Sequence, residues 1–284
     1  MESGCKFPCP FCEGQKVTWE GKSELRSFKR IGDLAKKFAM PEKEGGGGRK
    51  RKENGKKFRC CVEQPLVGTG ADTLVLWMFA PPQLHIKLGL NKTLKMLKKL
   101  WPGFEDWMKT NLHLEFEVYQ GKEGNLEGNG IDKILDNIDR LANAIPPEFA
   151  FFIACLRAFL IVKEACFGCY KLAEDYKEKI ADFKKTLDTL NTEVERITAG
   201  WEKAEKPPAA TVGTKFHSLI EHVPTFCDHF GLPLGVFSEQ GLEKIHQTFA
   251  KLWTRFMVNC EDNIHFGPEL LKCCLLLNYD QVMC

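Results

Sequence analysis

The sequence predicts a mainly α protein, on three observations. Between Leu172 and Trp201 the apolar residues Tyr176, Ile180, Phe183, Leu187, Leu190, Val194 and Ile197 recur in mostly alternating steps of four and three, with Lys, Glu and Asp on the other faces. Steps of that size stack side chains along one side of an α-helix. Further helical tracts lie between the breaks at Pro81-Pro82 and Pro146-Pro147. Strand-like pattern is confined to short runs such as Val17-Thr18-Trp19.

Taken in order, residues 1–22 are turn-rich, with Cys5, Cys9 and Cys12 among Pro8, Pro10 and Gly14. Residues 24–40 place Leu25, Phe28, Ile31, Leu34, Ala35 and Phe38 at helical spacing. Gly45 to Gly48 then run into Arg49-Lys50-Arg51-Lys52, a tract that cannot bury a core and reads as a mobile linker. It is either a solvated loop or a phosphate-contacting or nuclear-import segment.

A helix is expected from about 83 to 100 through Leu84, Leu88, Leu94, Leu97 and Leu100. A loop with Gly121, Gly124, Gly128 and Gly130 precedes a helical tract at 131–144, and an apolar helix follows at 149–166. The stripe at 172–201 suits a core helix or antiparallel hairpin better than a dimerising coiled coil, and Gly200 and Pro207-Pro208 end it. A last helix is expected at 238–258, capped by Ser238. The organisation is thus 1–42, a linker at 43–70, a helical insert at 71–210, and 211–284.

Composition narrows the class. A net charge of +2 does not announce a nucleic-acid partner, so any such signal must be local. The start of the chain has no apolar signal stretch, and the most apolar window, 149–162, contains Arg157, so neither secretion nor a membrane span is expected. Thirteen cysteines without a secretion signal read first as metal ligands where they form CxxC, and the expected location is inside the cell.

Cys9-Pro10-Phe11-Cys12 puts two thiolates on one tight turn, and His217 and His222 sit five positions apart near the other end. Together they form a Cys2His2 set suited to tetrahedral Zn²⁺. Periodicity does not show that two halves about 200 residues apart meet, and Cys5 allows another ligand choice. His85, His113, His229 and His265 have no partner at metal spacing and read as structural. Glu239, Glu243 and His246 share one face of the last helix, where by spacing alone the glutamates are charges favoured by the helix dipole.

The stretch from Phe216 to Glu243 resembles the end of the catalytic core of the Transib transposases and the related V(D)J recombinase catalytic subunit. In that family a His-x4-His zinc pair runs into Val-Pro, as His217, His222, Val223 and Pro224 do, and a later helix opening with Ser-Glu carries the last acid of an Asp-Asp-Glu triad. Cys9-Pro10-Phe11-Cys12 resembles the family's CxxC. Leu84-His85 with Gly89, and Gly128-Asn129-Gly130 leading into Lys133, resemble landmarks of its long helical insert. The order of motifs agrees over nearly the whole chain, while most of the insert matches in pattern alone.

The resemblance implies an RNase-H-like DDE nuclease with structural zinc at Cys9, Cys12, His217 and His222. Its two catalytic divalent cations, Mg²⁺ or Mn²⁺, act on a DNA phosphate. Glu243, or its neighbour Glu239, would supply one carboxylate to them, and Lys244, Lys251 and Arg255 would contact phosphates. Both catalytic aspartates of the family lie upstream of its CxxC, whereas eight residues precede Cys9 and none is aspartate.

The expected protein is therefore a helical insertion domain with a zinc-held closure and the terminal helix of a truncated RNase-H-like core. It is expected to be inactive alone, with DNA as partner, a homodimer allowed, and a nuclear or otherwise cytoplasmic location. The alternative is a non-catalytic zinc-containing helical module that binds DNA or a protein through the basic run and the heptad-like stripe. A cysteine-based redox enzyme is weaker, because the CxxC lacks a flanking βαβ pattern.

Overall fold

Three extended segments hold the start of the chain together. The computed structural model describes residues 9–15, 24–39, 61, 72–116, 118–119, 122–202, 206–207 and 213–237. All of these lie in the unit Met1–Phe237, which is separate from Ser238–Cys284. Arg26 N–H donates to the Phe11 carbonyl at 2.8 Å, and Val75 N–H donates to the Arg26 carbonyl at 2.9 Å. Antiparallel bridges pair Cys12 with Leu25 and Ser27 with Leu74. The CxxC turn is thereby tied through residues 24–27 to the chain that enters the helical body.

Helix α1 (Phe28–Ala39) follows, burying Phe28, Leu34 and Ala35 and exposing Lys29, Arg30, Asp33, Lys36 and Lys37. That division is the amphipathic pattern read from the sequence. After the single turn α2 (Val75–Met78), α3 (Gln83–Lys87) passes through a 3-10 turn at Leu88–Leu90 into α4 (Asn91–Leu100). Helix α5 (Gly103–Leu112) fills a region with no helix in the sequence reading, although Phe104, Trp107, Met108 and Leu112 have the spacing and are buried. A two-residue antiparallel hairpin, β1 (Val118–Tyr119) and β2 (Lys122–Glu123), comes next.

The tract expected at 131–144 divides at Asn137 into α6 (Gly128–Asp136) and α7 (Ile138–Ala144). Gly128 opens α6, where a loop was expected. A Cβ there would lie 2.6 Å from Leu84 Cδ1, so a larger residue at this close approach of α6 to α3 would make the end of the Leu84 side chain move.

Helices α8 (Ala150–Cys166) and α9 (Tyr176–Ile197) form the core of the fold. Phe159 of α8 meets Phe183 of α9 edge to face at 5.4 Å, and Cys155 lies beside Thr186. Residue numbers that rise on one helix and fall on the other define an antiparallel hairpin. Phe152, Leu156, Phe159 and Val162 bury against Tyr176, Ile180, Phe183, Leu187, Leu190 and Val194. The periodic stripe is therefore a core face, shorter at both ends than the sequence suggested: Leu172 precedes α9, and Trp201 lies past its end at the surface. Among the described residues no helix is long and apolar enough to cross a membrane.

Candidate metal centre

His217 and His222 sit on one helical rod with three hydrogen-bond patterns: α10 (Thr214–His217), a π turn (Ser218–His222) and α11 (Val223–Phe230). In an α-helix, residues five apart point about 140° away from each other. In the π turn hydrogen bonds span five residues, and Val223 N–H donates to the Ser218 carbonyl. The wider turn swings His222 back over His217, with ring centroids 4.8 Å apart. Pro224, which lacks an N–H and crowds the carbonyl four residues earlier, accounts for the local departure from α geometry. Gly231, in the left-handed region at φ 66°, caps the rod.

The CxxC turn meets this rod. Cys9 Sγ lies 3.2 Å from His222 Nε2 and Cys12 Sγ lies 3.2 Å from His217 Nε2, across 213 and 205 residues of sequence. All four ligand atoms fall within 4.8 Å of one another. None of the four residues is more than 2% exposed. Tetrahedral zinc with ordinary Zn–S and Zn–N bonds would separate sulfur and nitrogen by about 3.6 Å. The group thus has the size of a metal tetrahedron, and it can hold a metal ion such as zinc.

The surroundings favour negative sulfur. Backbone N–H groups of Phe11 and Cys12 point at Cys9, and Gly14 N–H donates to Cys12 Sγ at 3.3 Å. The hydrogen bond to Cys12, burial and the neighbouring charge all push the Cys9 thiol up, while Cys12, accepting that bond and bonds from both imidazoles, is held far below the ordinary thiol range. The pair thus favours the thiolate at Cys12, and a bound dication would let both sulfurs ionise, which is the chemistry of a thiolate metal site. Phe11, inside the CxxC, is buried edge-on to His222 at 5.5 Å and screens the group from water.

Arg26 supports the site although its place in the sequence carries no sign of it. Its side chain is buried, with Nε donating to the Cys12 carbonyl at 2.8 Å and Nη1 to Cys61 Sγ at 2.9 Å. Tyr176 was likewise read as a core position alone, yet its hydroxyl donates to Asp228 Oδ1 at 2.5 Å and ties α9 to α11. Nothing in the periodicity of either residue signals these roles.

The other predicted residues fall in two groups. His229 stacks on Trp77 at 3.9 Å, His113 caps α5, and His85 is exposed. None of the three joins a metal-type cluster among the described residues. Glu239, Glu243, Lys244, Lys251 and Arg255 lie outside the described residues, as do Arg49, Lys50, Arg51, Lys52, Cys5, His265 and the run Val17–Trp19.

Fold and site together define a mainly helical protein closed by a buried Cys2His2 group. No model of a known protein family matches the chain, and no curated protein matches it.

Proposed function

We propose that the chain is a zinc-stabilised helical module derived from a DDE-type transposase of the Transib and V(D)J recombinase type. The observation that supports this reading is the meeting of Cys9 and Cys12 with His217 and His222 across a helical insert, in the motif order that the resemblance implies.

Zinc is the cation of choice here. Two thiolates and two imidazoles suit its tetrahedral coordination, whereas Mg²⁺ and Ca²⁺ take oxygen ligands. A closed and buried four-donor set leaves no position for substrate, so the metal is structural. It fastens the N-terminal turn to the rod that leads in sequence to Ser238 and to Glu243, the triad acid of this reading, with Glu239 beside it. Two-metal phosphoryl transfer in the family needs three carboxylates, and residues 1–8, ahead of the CxxC, hold no aspartate. The chain alone does not cut DNA. Lys244, Lys251, Arg255 and the run Arg49–Lys52 are the phosphate contacts of this reading.

Elemental analysis of the purified protein should find one zinc per chain, and a Cys9→Ala/His217→Ala double variant should have lost it. Near-zero zinc in the unmutated protein would sink the shared site. Duplex DNA should bind with an affinity that falls steeply with salt. Absence of binding at low salt would remove the transposase reading while leaving the metal centre standing. Cleavage of a DNA end in Mn²⁺ that Glu243→Gln abolishes would overturn the assignment as inactive.

A further inference from the structure

Several lysines of the fold have acidic partners. Lys87 and Lys163 share Asp132, Lys98 pairs with Glu105, and Lys177 pairs with Asp228. Lys92 of α4 and Lys215 of α10, both exposed, make no ion pair among the described residues. Both line one cavity of about 280 Å³, together with Asn125, Thr214, Leu88 and Phe216, and among the described residues none that lines it is acidic.

The walls of this cavity are set by buried contacts. Phe216 is buried and packs against Gly89, where an added Cβ would lie 2.8 Å from its ring. Asn91, 3% exposed, donates to the Leu126 carbonyl at 3.0 Å and accepts from Leu126 N–H at 2.7 Å, which fixes the loop carrying Asn125 at the rim.

We propose that this cavity binds a phosphate group borne on an organic scaffold, with Lys92 and Lys215 as its cationic contacts. Two ammonium groups lining one space repel each other, and an anion between them reverses the sign of that interaction. A phosphate monoester can carry up to two charges against two lysines, whereas a carboxylate carries one. Each ammonium offers three donors to its oxygens, with Thr214 and Asn125 as further hydrogen-bonding groups. The volume is several times the roughly 30 Å³ of one water, and Leu88 and Phe216 provide apolar wall for the part of the ligand beyond the phosphate. The proposal is independent of the transposase reading and of the metal, because none of its contacts is a metal ligand.

The test uses the full zinc-loaded chain at low salt. Inorganic phosphate, a nucleoside monophosphate and a short DNA oligonucleotide are titrated against wild type, Lys92→Gln, Lys215→Gln and the double variant. Lys184→Gln, at an exposed position of α9, serves as control. Each cavity variant should weaken binding on the order of tenfold, and the salt slope for the oligonucleotide should fall by about one per lysine. Binding of phosphate or nucleotide identifies a free small molecule as the source, and binding of the oligonucleotide alone identifies backbone phosphate; either supports the site if the variants lose it. If no probe binds, or if the double variant with wild-type zinc content binds every probe as wild type does, the proposal falls.

Discussion

The ring of Phe183, on the long helix of the hairpin, meets Phe216 edge to face at 5.2 Å, one residue before His217 of the Cys2His2 group. Phe159 closes the third side, 6.3 Å from Phe216. All three are buried, so the hairpin sets the position of the rod that carries both histidines. Phe183→Ala is expected to cost about 3–5 kcal/mol in denaturant unfolding and to speed loss of metal to a chelator, with Phe183→Leu milder in both. Unchanged metal retention in the alanine variant would show that the hairpin does not position the histidines.

Gly89 tests the same geometry from the opposite side. A methyl group there meets the Phe216 ring at 2.8 Å. Gly89→Ala should cost about 1–3 kcal/mol through overpacking, read as a lower melting temperature, and should weaken metal binding because the displaced ring is adjacent to His217.

Removal of the metal should leave the helices in place. The core around Phe152, Phe159, Phe183 and Leu187 is built by the hairpin helices, and Cys9, Phe11 and Cys12 of the CxxC turn join the same apolar cluster from outside that hairpin. Chelation is therefore expected to lower the melting temperature while far-ultraviolet circular dichroism stays near its starting value. Hydrogen exchange should accelerate at 9–15 and 24–28 first. Loss of most helical signal on chelation would contradict this division.

Arg26 is expected to position the CxxC turn. Removing the hydrogen bonds to the Cys12 carbonyl and Cys61 in Arg26→Leu should lower metal affinity about 10–100-fold, the range seen for groups that orient ligands. Lys at this position should not restore it, since an ammonium cannot reproduce the planar fork that reaches both the Cys12 carbonyl and Cys61. Full rescue by Arg26→Lys would reduce the role to bulk charge.

Asp132 supplies a pH-dependent contribution. Burial works to raise its carboxyl, but hydrogen bonds from Lys163 at 2.7 Å and Lys87 at 2.5 Å outweigh it and hold the group below the usual carboxylate range. A value depressed on folding means that the unfolded chain binds the proton more readily. The stabilisation is thus complete above the unfolded value of about 3.9 and drains away as pH falls through the folded one. Asp132→Asn should lower neutral-pH stability by about 1–3 kcal/mol and flatten the stability profile below about pH 4. A variant with the wild-type acid slope would remove Asp132 as its source.

Much of the helical architecture was legible because burial leaves a periodic trace. The stripe from Tyr176 to Val194 became a core face at the positions read from spacing, and α8 lies close to its expected bounds, whereas α1 starts only at Phe28 because Leu25 and Ser27 are drawn into antiparallel bridges. Helix α5 carried the same trace in Phe104, Trp107, Met108 and Leu112 and went unread beside its Pro102-Gly103 start. Arg26 and the Tyr176–Asp228 bond left no trace, because a polar group that becomes buried has no periodicity to betray its partner.

By itself the sequence determined which donors were on offer: two thiols on one turn, with Cys5 beside them, and two imidazoles before a Val-Pro step are chemistry that side-chain identity carries. That the halves meet was decided by tertiary structure alone, because contacts across 205 and 213 residues depend on how the intervening helices pack. The orientation of the histidines was decided there too. Five residues of α-helix would have turned them apart, and the π turn beside Pro224 turns both toward the sulfurs.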